Sequence, residues 1–283
     1  MKPILMKMRF VIPALLCAFT AFVSCSKTED NPKPETETPG DDESPVDTSQ
    51  PASHNFIGMI QGTGVDDTTF VFNYDANNRM KNVVNVSWED SLIGTYNDAG
   101  NLSQMVLKDN GSITTVTYTY NAANQLTQIS HKQGNDENRN VFEYTNGVVS
   151  KNSSYAVGPN GELSLGAYYI YEVTDGNITK IKSYSGGLFT GESTLTYNSD
   201  PNIFKSLSLF NDNSALGMND IADQQTWFNK NMCTGSTFIN TTQTTTVNAF
   251  TYTYNADQQL TKVVSTQTFA GSLYKTRTRK FSY

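Results

Sequence analysis

Hydrophobic and polar positions alternate along much of this chain. In "FTYTY", Phe250, Tyr252 and Tyr254 fall on one side and Thr251 and Thr253 on the other, the period of two that a β-strand requires. Tyr, Phe and Thr suit a pleated, half-buried surface. The polar run "NADQQ" follows, then the apolar-rich "LTKVV". Asn, Asp and Gly in such runs tolerate positive φ or bond their own backbone, so the stretch predicts a β-hairpin. Leu260 lies six residues after Tyr254, and Val263 three further on. A step of three places two side chains on opposite faces of a regular strand. A bulge is therefore expected there, or Leu260 still in the turn.

The same spacing recurs at Tyr74, Met80 and Val83, at Tyr96, Leu102 and Met105, and at Tyr120, Leu126 and Ile129. Looser copies start at Tyr171 (with Ile178 and Ile181), at Tyr197 (with Ile203 and Leu207) and at Tyr144, whose turn is shortened. Phe281 and Tyr283 fall in the phase of a further copy. The tyrosines stand 22, 24, 24, 27, 26, 57 and 29 residues apart. A period in the twenties marks a repeated supersecondary unit.

Seven such units imply roughly 14 strands, more than an open twisted sheet holds before curling or splitting. The Tyr/Leu face must be covered, whereas the Thr face can be wet. The expected fold is all-β: an antiparallel meander of repeated hairpins curled into a partly closed barrel or sandwich. One short helical insert, about 209–249, interrupts it. "NDIADQQTWFNK" predicts that helix, with Asp220 as cap and Ile221, Thr226, Trp227 and Phe228 near helical spacing. It is expected to plug one end of the sheet, with Trp227 and Phe228 as packing residues. "TTQTTTVNAF" is expected to lengthen the strand that follows.

The motif Y-x-Y-[ND]-x-x-x-x-L resembles the YD repeat of RHS and teneurin proteins in a degenerate form. The whole layout resembles an uncharacterised family of Bacteroidetes lipoproteins. That resemblance carries no known active site and covers the chain from about Phe56 to Tyr283.

The first segment reads as a signal and not as fold. Lys2, Lys7 and Arg9 precede an apolar run from Phe10 to Val23, the order of a secretory leader. That run is too short to span a bilayer, which takes roughly 20 apolar residues. "FVSC", Phe22–Cys25, resembles a bacterial lipobox, with Phe22 where Leu or Val is usual. The resemblance implies lipidation at Cys25 and a leader over 1–24. Residues 25–52 then form a tether, and the repeat domain occupies 53–283. The tether has no aromatic residue, and Ser26–Gln50 holds eight acids against Lys27 and Lys33. Such a segment cannot bury enough apolar surface to offset its ordering entropy. Lys27, Glu29 and Asp30 just after Cys25 also resemble the export signal of surface lipoproteins. The expected location is the outer membrane, lipid-anchored at the cell surface, with the periplasmic face as the alternative.

After Gln50, 15 basic and 19 acidic residues leave the domain near −4. Without a clustered basic face, nucleic acid is not an expected partner. Only Cys233 remains beyond Cys17 and Cys25, so no internal disulfide or cysteine metal cluster is expected. The histidines, His54 and His131, stand in polar contexts without the partners of a base or a metal set, and both read as surface residues. No nucleophile-elbow, phosphate-loop or metalloprotease motif occurs. Asp66, Asp67, Asp136 and Glu137 are the carboxylates open to glycosidase chemistry, yet acids in hairpin turns are ordinary. "GNDENRN" lacks the ordered spacing of a calcium loop.

The expectation is thus a non-catalytic envelope protein with a structural or binding role and no cofactor or metal. Its partners would be the membrane, through the lipid on Cys25, and a glycan or envelope protein. The alternatives are a glycan- or apolar-ligand-binding lipoprotein, in which Trp88, Trp227 or exposed tyrosines line a cleft, and a glycan hydrolase. An outer-membrane barrel fits the alternation loosely, but the lipobox, the tether and the repeat stand against it.

Overall fold

The computed structural model describes residues 57–62, 68–86, 90–109, 111–210 and 226–283. Cys25, His54, Asp66, Asp67, Trp88, Asp220 and Ile221, with the leader and tether assignments, lie outside them. Sixteen strands run in chain order among the described residues. They are β1 (Gly58–Gly62), β2 (Thr68–Tyr74), β3 (Met80–Asn85), β4 (Asp90–Tyr96), β5 (Leu102–Asp109), β6 (Ser112–Tyr120), β7 (Leu126–Gln133) and β8 (Asp136–Thr145). There follow β9 (Val148–Val157), β10 (Leu163–Thr174), β11 (Asn177–Ser185), β12 (Leu188–Pro201), β13 (Asn231–Asn240), β14 (Thr245–Tyr254), β15 (Leu260–Phe269) and β16 (Ser272–Ser282).

Each strand pairs antiparallel with its neighbours in sequence, and β1 pairs with β16 through Met59 and Phe281, closing the barrel. The expected all-β meander is present. Its closure is complete where the sequence predicts a partly closed barrel or a sandwich, because the β1–β16 seam leaves no edge for solvent or a second sheet.

The repeat is built from four local devices. The residue after the tyrosine forms the turn: Asn121 Oδ1 accepts the N–H groups of Ala123 and Gln125, and Asn255 Oδ1 those of Asp257 and Gln259. Asp75 does the same for Asn77 and Arg79. A short oxygen at this position is what such a turn needs. Left-handed residues complete the turns at Asn78, Asn124 and Gln258, and Gly100 does so at φ 81°.

Next comes the expected bulge. Thr253 pairs with Lys262 but Tyr254 pairs with Leu260, leaving Thr261 extra. The same shift occurs at Tyr74/Met80, Tyr96/Leu102, Tyr120/Leu126 and Tyr144/Val149. The extra residue then clasps the partner strand. Ser103, Thr127 and Thr261 donate their hydroxyls to the carbonyls of Thr95, Thr119 and Thr253, each at 3.1 Å.

The fourth device links one hairpin to the next. Tyr96 donates its hydroxyl to the Met80 carbonyl (2.6 Å), Tyr120 to Leu102 (2.9 Å) and Tyr144 to Leu126 (2.8 Å). Tyr197 reaches Ile178 (2.6 Å) and Tyr283 reaches Leu260 (3.0 Å). The acceptor is the residue that follows the preceding tyrosine by six or seven positions. At one unit the slot is shifted: Val173, not Tyr171, pairs with Ile178, while Tyr171 faces Ile181 and is buried.

Inward positions are apolar at the end where these turns lie. Phe72, Val83, Leu92, Met105, Val116, Ile129 and Val263 are almost wholly buried, and the ladder tyrosines pack against them. Outward positions carry Thr117, Thr119 and cross-strand ion pairs such as Lys151–Glu143 (2.7 Å) and Lys182–Glu172 (3.2 Å), with exposed Val71, Ile113 and Ile170 scattered between them. A lipid-facing barrel needs a continuous apolar band about 25 Å tall on the outside, and these ion pairs interrupt the outward face of β8–β12. Among the described residues no helix is long and apolar enough to cross a membrane.

The unit expected at Tyr197, Ile203 and Leu207 is not a hairpin. After Pro201 the chain leaves the sheet, and the partner of β12 is β13, reached 36 residues later through the pair Tyr197–Cys233. The helix in this region is α1 (Lys205–Phe210), upstream of the predicted segment, followed by a 3₁₀ turn at Thr226–Phe228. Phe204, Leu207, Leu209 and Phe210 are buried in the barrel core, so the insert plugs the turn end as expected. "TTQTTTVNAF" does lengthen β14.

Removing the Tyr120 hydroxyl with Tyr120→Phe leaves the Leu102 carbonyl without its donor. It should lower unfolding free energy by about 1–2 kcal/mol in denaturant titration, more than Ser103→Ala on the exposed clasp. Burial raises the phenol pKa of Tyr74, Tyr96, Tyr120 and Tyr254, and that of Tyr144 to about 12 from its ordinary 10.0. Because the folded values exceed the unfolded one, this stability is whole below pH 10 and is lost as pH rises through the folded values. The last part of the rise in tyrosinate absorbance, that of the buried ladder, should thus coincide with unfolding in an alkaline titration.

Candidate functional site

Among the described residues, two of the concavities are open enough to admit a ligand. The larger, 340 Å³, lies at the plugged end between the β2–β3 turn, the β4–β5 turn, α1 and the 3₁₀ turn. The smaller, 130 Å³, lies along β14–β16 beside Asn248, Gln267, Lys275 and Arg277.

The larger cleft follows from the local rules of the repeat. Two adjacent Asx turns hold their tips side by side, and Gly100, at φ 81°, closes the second turn without a side chain at the cleft. Its floor is apolar, formed by Met80, Leu102, Leu209 and Phe210, and its rim carries Asn77, Asn78, Arg79 and Asn101. Tyr96 and Trp227 supply the aromatic walls.

Arg79 lies with its guanidinium 4.4 Å from the Tyr96 ring centroid and pairs with Asp75 at 2.7 Å. Asp75 is held below its ordinary pKa chiefly by the hydrogen bonds from Arg79. The ring fixes the cation from one side and the carboxylate from the other, so the rim charge is largely neutralised. On its other edge, Asn101 donates to Asn124 Oδ1 of the next turn (3.3 Å).

The plug is buttoned to the wall by amide pairs. Asn177 Nδ2 donates to Asn231 Oδ1 (3.0 Å), the Asn231 N–H to Asn177 Oδ1 (2.8 Å), and the Ile178 N–H to Asn229 Oδ1 (2.8 Å). Tyr118 donates to the Leu209 carbonyl (2.8 Å).

The residues singled out from sequence are not brought together. Asp136 is exposed where β8 begins, and Glu137, its neighbour on the opposite face, pairs with Arg139 at 2.6 Å and accepts from Ser130. Those bonds, Arg139's first, hold Glu137 below its ordinary pKa. His131 is not on the outer surface as expected but faces inward opposite Val116 and Asn138, because the alternation that buries Ile129 carries it to the same side. Among the described residues no group of three His, Cys, Asp or Glu side chains is placed to hold a metal.

Phe228 is a packing residue, 5.3 Å from Phe142 and 6.4 Å from Tyr144 between ring centroids. Trp227 packs on the core and also lines the cleft. The turn residues of the rim carry no signal in the sequence, because Asn in a hairpin turn is ordinary. Only the closure of the barrel brings Trp227 to Asn77 and Asn101.

The RHS Repeat family model matches residues 96–136, which span the Tyr96 and Tyr120 units with their bulges and clasps. Residues 96–136 are similar to an RHS repeat. The hairpins at Tyr74 and Tyr254 share the spacing and bulge of this segment. Among solved structures, a porin-like protein from Bacteroides uniformis superposes with a TM-score of 0.53 at 15% identity, covering 80% of this chain and 97% of that one. That likeness shows the fold. A porin-like protein from Bacteroides vulgatus gives a TM-score of 0.44 at 10% identity, over 81% and 98% of the two chains. The TcdB2–TccC3–Cdc42 structure gives 0.31 at 17% identity, over 76% of this chain and 10% of that chain. No curated protein matches the chain.

A Cβ on Gly94 would overlap the Phe210 ring and press on Leu102. Gly94→Ala should cost about 1–3 kcal/mol, as overpacked cores do. Adding Phe210→Ala should recover part of that loss in thermal melts followed by circular dichroism.

Proposed function

We propose that this chain is a non-catalytic protein of the cell envelope, held to the membrane by lipid on Cys25, with a structural or binding role in the aqueous phase. The observation that carries the reading is the turn end of the barrel: apolar and aromatic side chains fill its inside, while ion pairs and threonines share the outside with scattered apolar residues. A wall of that kind is stable in water, and its plugged, side-chain-filled end makes a rigid scaffold. The leader-like order of Lys2, Lys7, Arg9 and the apolar run, and the fold shared with a porin-like Bacteroides protein, support placement in the envelope. The cell surface is the favoured face, given the acidic residues just after Cys25.

A second reading, a glycan- or apolar-ligand-binding lipoprotein, is favoured by the cleft that combines Trp227 and Tyr96 with rim amides. Glycoside hydrolysis is disfavoured for Asp136 and Glu137, which point to opposite faces of one strand.

In cells given an alkyne-labelled fatty acid, the wild-type chain should take up label and sediment with membranes. Cys25→Ser should do neither. Protease added to intact cells should degrade the domain, and full protection would place it on the periplasmic face. Unlabelled wild-type protein would overturn the anchor.

A further inference from the structure

We propose that the cleft at the plugged end binds a short neutral oligosaccharide. The inference rests on the binding reading above and assigns its site and ligand class. The argument runs from the chemistry of the two layers of the cleft. The floor, Met80 and Leu102 with Phe210, is apolar, while the rim is a set of planar amides. A pyranose has that same division: an apolar face of C–H groups and an equatorial belt of hydroxyls that both donate and accept. Each Asn side chain offers two donors and an acceptor in one plane, and an indole wall such as Trp227 gives the C–H face a large, rigid surface. The volume, 340 Å³, falls at the lower end of ordinary small-ligand sites, which suits one or two sugar rings with the rest of a chain running into solvent.

The competing chemistries fit less well. An anion would be expected to need an uncompensated cation, yet Arg79 is already paired with Asp75 and laid against Tyr96. A wholly apolar ligand would cover the rim amides without bonding them, and a polar group buried without a partner costs about 1–3 kcal/mol. A neutral polyol satisfies the amides and the floor together. The geometry is also held ready before binding. The tips that carry Asn77 and Asn101 are fixed by the Asx bonds of Asp75 and Asn97 and by the bridge from Asn101 to Asn124. A site with little left to order retains more of its contact energy as affinity.

The test uses the chain lacking its leader, in a Trp88→Phe background, so that Trp227 is the sole indole. Maltotetraose, cellotetraose, xylotetraose and chitotetraose are titrated against its fluorescence and, in parallel, by calorimetry. At least one should bind saturably and shift the Trp227 emission. Asn101→Ala, whose turn keeps the backbone bonds to Asn97, should weaken that binding about tenfold, the effect of one lost hydrogen bond of about 1.4 kcal/mol. Trp227→Phe should weaken it less than Trp227→Ala, and Tyr168→Ala on the outer wall should leave it unchanged.

Saccharide binding that survives Asn101→Ala and Trp227→Ala would overturn the cleft as the site while leaving a glycan-binding role standing. Saturable binding of decanoate with no response to any tetrasaccharide would overturn the ligand class. No binding of any probe would overturn the inference, while the envelope placement would still be decided by the lipid-labelling experiment.

Discussion

A carbonyl oxygen at the start of a strand governs this barrel. In a regular ladder it would be consumed by the neighbouring strand; here the bulge after each ladder tyrosine turns it out of register. A buried carbonyl left so would be costly, and the tyrosine of the next hairpin supplies the donor. One residue type thus meets three demands, filling the core with its ring, satisfying an irregular backbone group, and fixing the offset between successive hairpins. Because the bond joins unit to unit and not strand to strand within a unit, it carries the local geometry of one hairpin around the circumference. The serine or threonine clasp does the complementary task on the wet side, holding the extra residue of the bulge against its partner strand.

Much of this is legible in the sequence. The period of the tyrosines, the alternation before them and the odd step of three after the leucine lead to hairpins with bulges and an inward tyrosine face. The clasp has a signal as well, the Ser or Thr directly after the slot residue in Leu102–Ser103, Leu126–Thr127 and Leu260–Thr261. Other features depend on contacts far apart in the chain. Closure rests on the pairing of Met59 with Phe281, for which neither segment carries a local sign. The slot at Val173 is hidden because Tyr171 mimics the landmark two positions early; only the register against Ile178 and Ile181 separates them. Helix α1 is short, and "IFKSLSLF" alternates well enough to pass for a strand. Its helical state is imposed by the need to turn Phe204, Leu207 and Phe210 into the barrel mouth.

The cleft is illegible for the same reason. It is assembled from the tips of two hairpins and an indole about 150 positions downstream. The hairpin rules place the tips, the insert places the indole, and only the closed wall makes them meet. This is why carboxylates and histidines, the residues that stand out in a chain, play no part in the concavity, while plain turn asparagines do.

The insert also gives the barrel a direction. Ile57, where the described wall begins, bonds Ser282 and Phe72, and Tyr283 reaches Leu260, so both lie with the plug and the cleft. The opposite mouth holds simple hairpins such as that at Gly134 and that at Ala270–Gly271. Any handle fused before Ile57 or after Tyr283 therefore sits beside the cleft. A sensor chip coupled through either would crowd the very mouth under study. Coupling through a cysteine placed in the Gly134 hairpin would turn that mouth toward the flow.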